Sequence, residues 1–110
     1  MSTDNFNIQI RKGLLEFCVI NNMATAEIYT SDILEELKKS KIIVVEGTLY
    51  PLLNRLKKSE YVSYSWKESK QGPPRKYYSL TKEGVKHLKN LILSWNEIDA
   101  SVKKIIKSNK

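Results

Sequence analysis

Basic and aromatic side chains alternate between residues 46 and 80. This segment has seven Lys and Arg residues against three acidic ones, a net charge of +4 (7 − 3). Its basic residues are Arg55, Lys57, Lys58, Lys67, Lys70, Arg75 and Lys76, interleaved with Tyr61, Tyr64, Trp66, Tyr77 and Tyr78. Cationic side chains bind phosphate oxygens, so this pattern is typical of a surface that contacts nucleic acid. The sequence therefore predicts a polyanionic partner.

The remaining charges are distributed differently. The 110-residue chain has a formal net charge of +7, to which residues 1–45 contribute −1 (5 − 6) and residues 81–110 contribute +4 (7 − 3). We attribute the lysines of the last segment to solvent-exposed helix faces. The basic surface that could hold a phosphate backbone is thus assigned to the middle of the chain.

The chain offers few residues for catalysis. It has one histidine and one cysteine, no Gly-rich phosphate loop and no paired metal-ligand spacing. We expect Cys18 to be a small core residue and His87 to lie at the surface. The sequence therefore predicts no enzyme activity, no metal site and no cofactor.

Composition indicates one globular unit in a reducing compartment. The chain is 41% hydrophobic and 28% charged, which is ordinary for a folded domain. No apolar run approaches the ~18 residues needed to cross a membrane, and the N-terminus lacks the pattern of a secretory signal. With a single cysteine, these features favour a cytoplasmic protein with no membrane partner.

Hydrophobic periodicity predicts two helices before residue 42. Residues 8–20 carry apolar side chains at helical spacing and on almost every side, so this helix is expected to be buried from two sides. After residues 25–30 a second helix follows, with Thr30 or Ser31 as its N-cap. The β-branched residues 42–45 form either a short strand or an extended linker.

The middle of the chain is predicted to form a helix and a hairpin. Residues 46–58 place four leucines on one face, although Pro51 predicts an irregular first turn or a start displaced toward Thr48. Residues 61–67 and 75–80 alternate as half-buried strands do. Residues 68–74 form the connecting loop, with Lys70 near its tip.

The last helix is predicted to begin at the N-cap Thr81, with Glu83 in its first turn. Its apolar residues repeat as a heptad: Gly84, Leu88, Leu91, Trp95, Ile98, Val102 and Ile105. Such a stripe needs a packing partner. Both the first helix and a second copy of the chain qualify, and a dimer in which they pack together satisfies both. We therefore predict a dimer interface of Leu14, Phe17, Leu88, Leu91, Trp95, Ile98, Val102 and Ile105.

Three sequence motifs resemble the PadR family of bacterial transcriptional regulators. They are RKGLLE at residues 11–16, EGTLYPLL at 46–53 followed by Arg55 and Leu56, and GPPRKYY at 72–78 followed by Leu80-Thr81 and Glu83-Gly84. The resemblance covers residues 10–98. It implies a mainly α (α+β) fold, in which residues 1–80 form a winged helix-turn-helix DNA-binding domain and residues 81–110 a C-terminal dimerisation helix. It also implies a homodimeric repressor that binds a pseudo-palindromic operator in double-stranded DNA.

The same resemblance assigns roles to individual residues. The third helix would enter the major groove and the hairpin wing would reach the minor groove or the backbone. The helix candidates are Thr48, Tyr50, Asn54 and Arg55, and the wing candidates are Lys67, Lys70, Arg75 and Lys76. By their chemistry, Asn54 or Arg55 would read bases, whereas Thr48, Tyr50 and Lys70 would hold phosphates. Alternatively, Tyr50 is a packing residue and Asn54 merely faces solvent.

Some features leave alternatives open. Val45 stands where family members commonly have a serine that caps the third helix. Trp95 either fills the dimer core or binds a small flat aromatic effector, as a tryptophan does in drug-responsive members of the family. A winged-helix protein could also serve as a protein-interaction module or bind nucleic acid non-specifically.

Overall fold

Helices dominate the fold, and a small sheet accompanies them. The computed structural model describes residues 3–109. Its elements are α1 (Thr3–Asn21), β1 (Ile28–Tyr29), α2 (Thr30–Lys39), α3 (Glu46–Lys58), β2 (Val62–Lys67), β3 (Arg75–Leu80) and α4 (Lys82–Ser108). The strands pair antiparallel in the order β1-β3-β2. The predicted mainly α arrangement, with three helices, a hairpin wing and a long last helix, is confirmed. Among residues 3–109, no helix combines the length and the apolar character needed to cross a membrane.

The first strand is absent from the sequence-based prediction. Its two residues pair with β3 in the register Ile28↔Tyr78 and Tyr29↔Tyr77. Two residues are too few to show an alternating pattern, so periodicity cannot detect this strand. Residues 42–45 form an extended linker, which was one of the two alternatives.

The core lies between the helices and one face of the sheet. Its fully buried side chains are Val19, Ile20, Ile33, Leu49, Leu53 and Leu56. The four leucines of α3 are buried together, as their spacing predicts. Cys18 is half-buried and packs against this core, and burial raises the pKa of its thiol. A protonated, half-buried thiol agrees with the interpretation of Cys18 as a packing residue.

Within the protomer, the N-terminal half of the first helix is exposed, so its predicted burial from two sides would require a second chain. The helix begins at Thr3 rather than near residue 8. Phe6, Ile8 and Ile10 are 55%, 62% and 47% exposed. Only Val19 and Ile20 in the last turn are buried. Phe6 and Ile10 lie close together around α1 and leave an exposed apolar face on the protomer, whereas Ile8 lies on the other side of the helix, near residues 42–45.

The entrances to α2 and α3 lack side-chain caps. Thr30 and Ser31 lie inside α2, whose N-cap is Tyr29, so the predicted cap is wrong. Val45 is the N-cap of α3 and likewise accepts no hydrogen bond through its side chain.

The start of α3 at Glu46 is not displaced by Pro51, which lies inside a continuous helix. The proline removes only the amide that would bond to the carbonyl of Gly47. Gly47 is exposed, so water can donate a hydrogen bond to that carbonyl. The helix therefore accommodates Pro51 without the irregular first turn that the sequence predicted.

The last helix is fixed to the base of the wing through Tyr61. The hydroxyl of Thr81 accepts a hydrogen bond from the Gly84 amide at 2.9 Å, which confirms Thr81 as the N-cap. The Thr81 amide donates to the Tyr61 carbonyl at 3.0 Å. The His87 ring stacks on the Tyr61 ring with 3.9 Å between centroids and 6° between planes. His87 therefore packs within the protomer instead of lying free at the surface.

Candidate nucleic-acid interface

The third helix presents two flanks on either side of its exposed face. Thr48, Tyr50, Asn54 and Arg55 are all exposed. At 3.6 residues per turn, Tyr50 lies about 160° around the helix from Thr48. Tyr50 and Asn54 share one flank at i and i+4, and Lys57 continues it at i+7. Thr48 and Arg55, seven residues apart, share the other flank.

Tyr50 combines an exposed ring with a fixed position. Its side chain is 45% exposed. Partial burial is the largest cause that raises the pKa of its phenol, the charge of Glu46 adds to this, and a side-chain hydrogen bond with Thr30 opposes it. The ring therefore lies against the start of α2 while its outer part stays accessible. Tyr50 can pack and contact a ligand at the same time.

A basic and aromatic cluster joins α3 to one face of the wing. We define it as Lys57, Tyr64, Trp66 and Lys76. The Lys57 ammonium donates to the Tyr64 hydroxyl at 3.3 Å and lies 4.3 Å from the ring centroid. The Lys76 ammonium lies 4.0 Å from the same centroid and 5.5 Å from that of Trp66. The hydrogen bond from Lys57, then its charge, then the charge of Lys76 lower the pKa of Tyr64.

Lys57 and the two aromatic residues of this cluster were not among the candidate site residues from the sequence. The spacing of Lys57 from Tyr50 and Asn54 was the signal that could have identified it. For Tyr64 and Trp66 the alternating strand pattern placed both rings on one face, but it gave no partner for them. The contact with α3 needed the tertiary structure.

The other face of the wing holds two further candidates. Lys67 forms an ion pair with Glu27, and its ammonium lies 5.3 Å from the centroid of the Tyr77 ring. The Arg75 guanidinium lies 4.8 Å from the centroid of the Tyr29 ring. Lys67 pairs across the hairpin with Arg75, one register position away from the pair Trp66↔Lys76. Successive pairs point to opposite faces, so the structure separates Lys67 and Arg75 from Lys76.

The tip of the wing is organised around Ser69. Its hydroxyl lies within hydrogen-bonding distance of the carbonyl oxygens of Gln71, Gly72 and Pro73, at 3.1, 3.2 and 3.1 Å. Gly72 has a φ of +104°, a conformation that side chains disfavour. Lys70 is exposed beside this turn. The loop thus holds a cation at the far end of the hairpin.

The residues predicted to form a dimer interface differ in their exposure. Leu88 is only 6% exposed, and Leu91, Leu14 and Phe17 are half-buried. Trp95, Ile98, Val102 and Ile105 are 36%, 57%, 49% and 63% exposed. Leu88 therefore packs within its own protomer, whereas the stripe beyond it remains uncovered.

Trp95 lies at the edge of a groove between α1, α2 and α4. The groove has a volume of about 430 Å³ and is lined by Phe17, Cys18, Leu37 and Ile42 among others. A volume of this size is within the range of small-molecule sites.

Comparison with known proteins gives consistent matches. The model of a family described as "Transcriptional regulator PadR-like family" matches residues 19–90. A PadR-like transcription factor from Bacteroides fragilis is 50% identical, with a TM-score of 0.76, over 92% of this chain and 98% of that one. A PadR-like regulator from Bacillus cereus is 33% identical, with a TM-score of 0.80, over 89% and 96%. The PadR of Bacillus subtilis, solved in complex with operator DNA, shares the fold at 18% identity and a TM-score of 0.66, over 72% and 46%.

Proposed function

The chain belongs to the PadR-like family of transcriptional regulators, and we propose that it is a repressor that binds a pseudo-palindromic operator as a homodimer. Members of this family are regulators and not enzymes, in agreement with the sequence. The observation that carries the proposal is the exposed face of α3, flanked by cations of the wing. The Bacillus subtilis protein of the same fold was solved with operator DNA, which supports the same partner here.

We assign the roles on this surface by side-chain chemistry. Asn54 and Arg55 can each make two hydrogen bonds to a base edge, so we propose that they read the sequence. Thr48, Tyr50 and Lys70 position the protein on phosphates. Of the wing candidates, Arg75 and Lys76 add positive charge along the hairpin. Lys67 contributes less, because Glu27 already offsets its charge.

We propose that the two parts of the chain have different functions. Residues 1–80 bind DNA and residues 81–110 dimerise, although Gly84 and Leu88 at the start of α4 are buried in the first part. The exposed stripe of α4 and the exposed apolar residues of α1 support dimerisation, since a second chain could cover apolar side chains that the protomer leaves in solvent.

Operator binding predicts a distinct effect for each kind of contact. The affinity of the protein for a duplex from upstream of its own gene should exceed its affinity for a scrambled duplex, and both should fall steeply as salt is raised. Asn54→Ala should reduce this preference by about 5- to 150-fold for each half-site, because a base contact contributes ~1–3 kcal/mol of discrimination. Lys70→Ala should weaken binding to both duplexes alike.

Fluorescence anisotropy titrations at several salt concentrations measure these effects. Lys104→Ala serves as a control, because it removes one exposed charge from α4, away from α3 and the wing. Equal affinity of the unaltered protein for the two duplexes at physiological salt would reject the repressor and favour a non-specific nucleic-acid-binding module.

We also propose that a flat aromatic effector binds against Trp95. The groove between Trp95 and α1 supports this, since Phe17, Leu37 and Ile42 offer apolar contacts beside Trp95, and Asn21, Asn22, Glu36 and Ser40 offer polar ones. The chain has two tryptophans, so Trp66→Phe leaves Trp95 as the sole tryptophan fluorophore. A planar aromatic compound should quench this variant and leave Trp95→Phe unaffected. Equal quenching of both variants would leave Trp95 as a packing residue only.

A further inference from the structure

A second basic surface lies on the Thr48 flank of α3. Arg11 and Lys12 of α1 and Lys41, which follows α2, line one groove together with Thr48. The groove has a volume of about 520 Å³, and its remaining walls are apolar: Ile8, Leu15, Ile42, Ile43, Val44 and Val45. All three cations are exposed. They come from the segment of the chain whose net charge is −1, so charge counting along the sequence does not reveal them.

These cations form no ion pair with the acidic residues that the structure describes. None of the ion pairs found within residues 3–109 involves Arg11, Lys12 or Lys41, and no acidic side chain lines the groove. The carboxylate of Glu46 at the start of α3 acts on Tyr50, on the opposite flank. Glu16, one turn beyond Lys12 on α1, is not part of the groove lining, so the groove itself carries three positive charges and favours an anionic ligand.

The backbone at Lys41 fixes where this side chain leaves the end of α2, in the same conformation that Glu60 adopts after α3. The φ of Lys41 is +63°, the left-handed conformation in which a helix commonly ends on glycine. The Lys41 amide donates to Lys38 and the Ile42 amide to Leu37, at 2.9 and 2.8 Å, as in the Schellman motif. A lysine is less favourable than glycine in this conformation. Lys41 therefore places a positive charge at the turn that leads from α2 toward α3.

The position of this surface relative to the wing determines its partner. The cluster of Lys57 and Tyr64 lies on the flank of α3 that faces the sheet, whereas Arg11, Lys12 and Lys41 lie on the Thr48 flank. A helix in the major groove, which is about 12 Å wide, has a phosphate backbone on each side. The wing lies on one flank of α3, so it can contact only one of these two phosphate backbones.

We propose that Arg11, Lys12 and Lys41 hold the phosphate backbone on the opposite side of α3 from the wing. This inference rests on the proposed function and adds a second set of backbone contacts to it. DNA would then be held on both sides of α3, with Asn54 and Arg55 between the two. Because these contacts go to phosphates, they contribute affinity and orientation but no base preference.

A charge-removing variant tests the inference. Arg11→Gln, Lys12→Gln and Lys41→Gly together should weaken binding to upstream and scrambled duplexes alike, by about tenfold or more. The slope of log K against log salt should become shallower by about two to three per protomer, and so by about four to six for a dimer on its operator, roughly one for each phosphate that is no longer neutralised. Lys89→Gln, Lys104→Gln and Lys107→Gln remove the same charge from exposed positions of α4 and should leave the slope unchanged.

The outcomes separate this inference from the proposed function. An unchanged slope in the first variant, with operator preference intact, overturns the inference and leaves the repressor standing. If the unaltered protein shows no operator preference, the proposed function fails, and the slope on scrambled duplex still decides the inference. Circular dichroism melts verify folding. The single variant Lys41→Gly relieves backbone strain, so it should fold at least as well and reduce the slope by about one unit per protomer, or about two for a dimer.

Discussion

Replacing Gly84 with alanine is expected to lower the free energy of unfolding by about 3 kcal/mol or more. A Cβ at this position would lie 1.9 Å from the carbonyl oxygen of Tyr61 and 2.9 Å from its carbonyl carbon. Both are backbone atoms, so no side-chain rotation can relieve the clash. The Tyr61 carbonyl is also held by the Thr81 amide. Either the start of α4 or the base of the wing must move.

Thermal or urea unfolding followed by circular dichroism measures this loss, with an expected fall in Tm of more than ~10 °C for a domain of this size. Gly47→Ala is the matched control. An added Cβ there meets nothing within 4 Å, and alanine is the better helix former, so stability should stay the same or rise by up to about 1 kcal/mol. Similar stabilities for the two variants would mean that the contact between Gly84 and Tyr61 is not tight in solution.

If the proposed homodimer forms through α4, Ile98→Asp combined with Val102→Asp is expected to dissociate it and to lower operator affinity about 100-fold or more. Both side chains lie on the uncovered stripe of α4, 57% and 49% exposed, so the protomer can fold with aspartate at these positions. Two linked DNA-binding units bind paired half-sites far more tightly than separate ones do, by about 10²- to 10⁴-fold. The variant should therefore bind the operator weakly, because its two units no longer act together.

Sedimentation equilibrium reads the assembly state directly, because the protomer has a mass of 12.8 kDa. Leu93→Asp is the control: this leucine is 62% exposed and lies about 180° around the helix from Val102. It should leave both the dimer and operator affinity unchanged. A double variant that sediments as a dimer would show that α4 does not form the interface, and a control that dissociates would place the interface on the other face.

Local patterns in the sequence predicted most of the elements. The bounds of α3 and of both wing strands agree with the spacing of Leu49, Leu52, Leu53 and Leu56 and with the alternation along the hairpin. Thr81 is recognisable as a cap from its type and position alone. These features depend on residues that are close in sequence. The two-residue strand β1 has no such pattern, because its only reason to be extended is the pairing with β3.

Contacts between distant residues could not be predicted. The ion pair of Lys67 and Glu27 joins residues 40 positions apart, so nothing in the sequence distinguishes the charge of Lys67 from that of Lys70. The exposed positions of α3 were predicted correctly. The contact of Lys57 with Tyr64 could not be predicted, because it depends on where the fold places β2 relative to α3. Gly84 fitted the heptad as an apolar residue, whereas its true requirement is the absence of a side chain against Tyr61.

The attachment of α4 to Tyr61 couples the orientation of the last helix to that of the wing. Its 27 residues extend about 40 Å, and its near end is fixed to the wing by the Thr81 hydrogen bond and the stacking of His87 on Tyr61. These contacts couple the orientation of α4 to that of the hairpin, so we expect the two to move together. In a pair of such chains, the angle between the two long helices would set the distance between the wings, and so the spacing of DNA sites that both can reach at once.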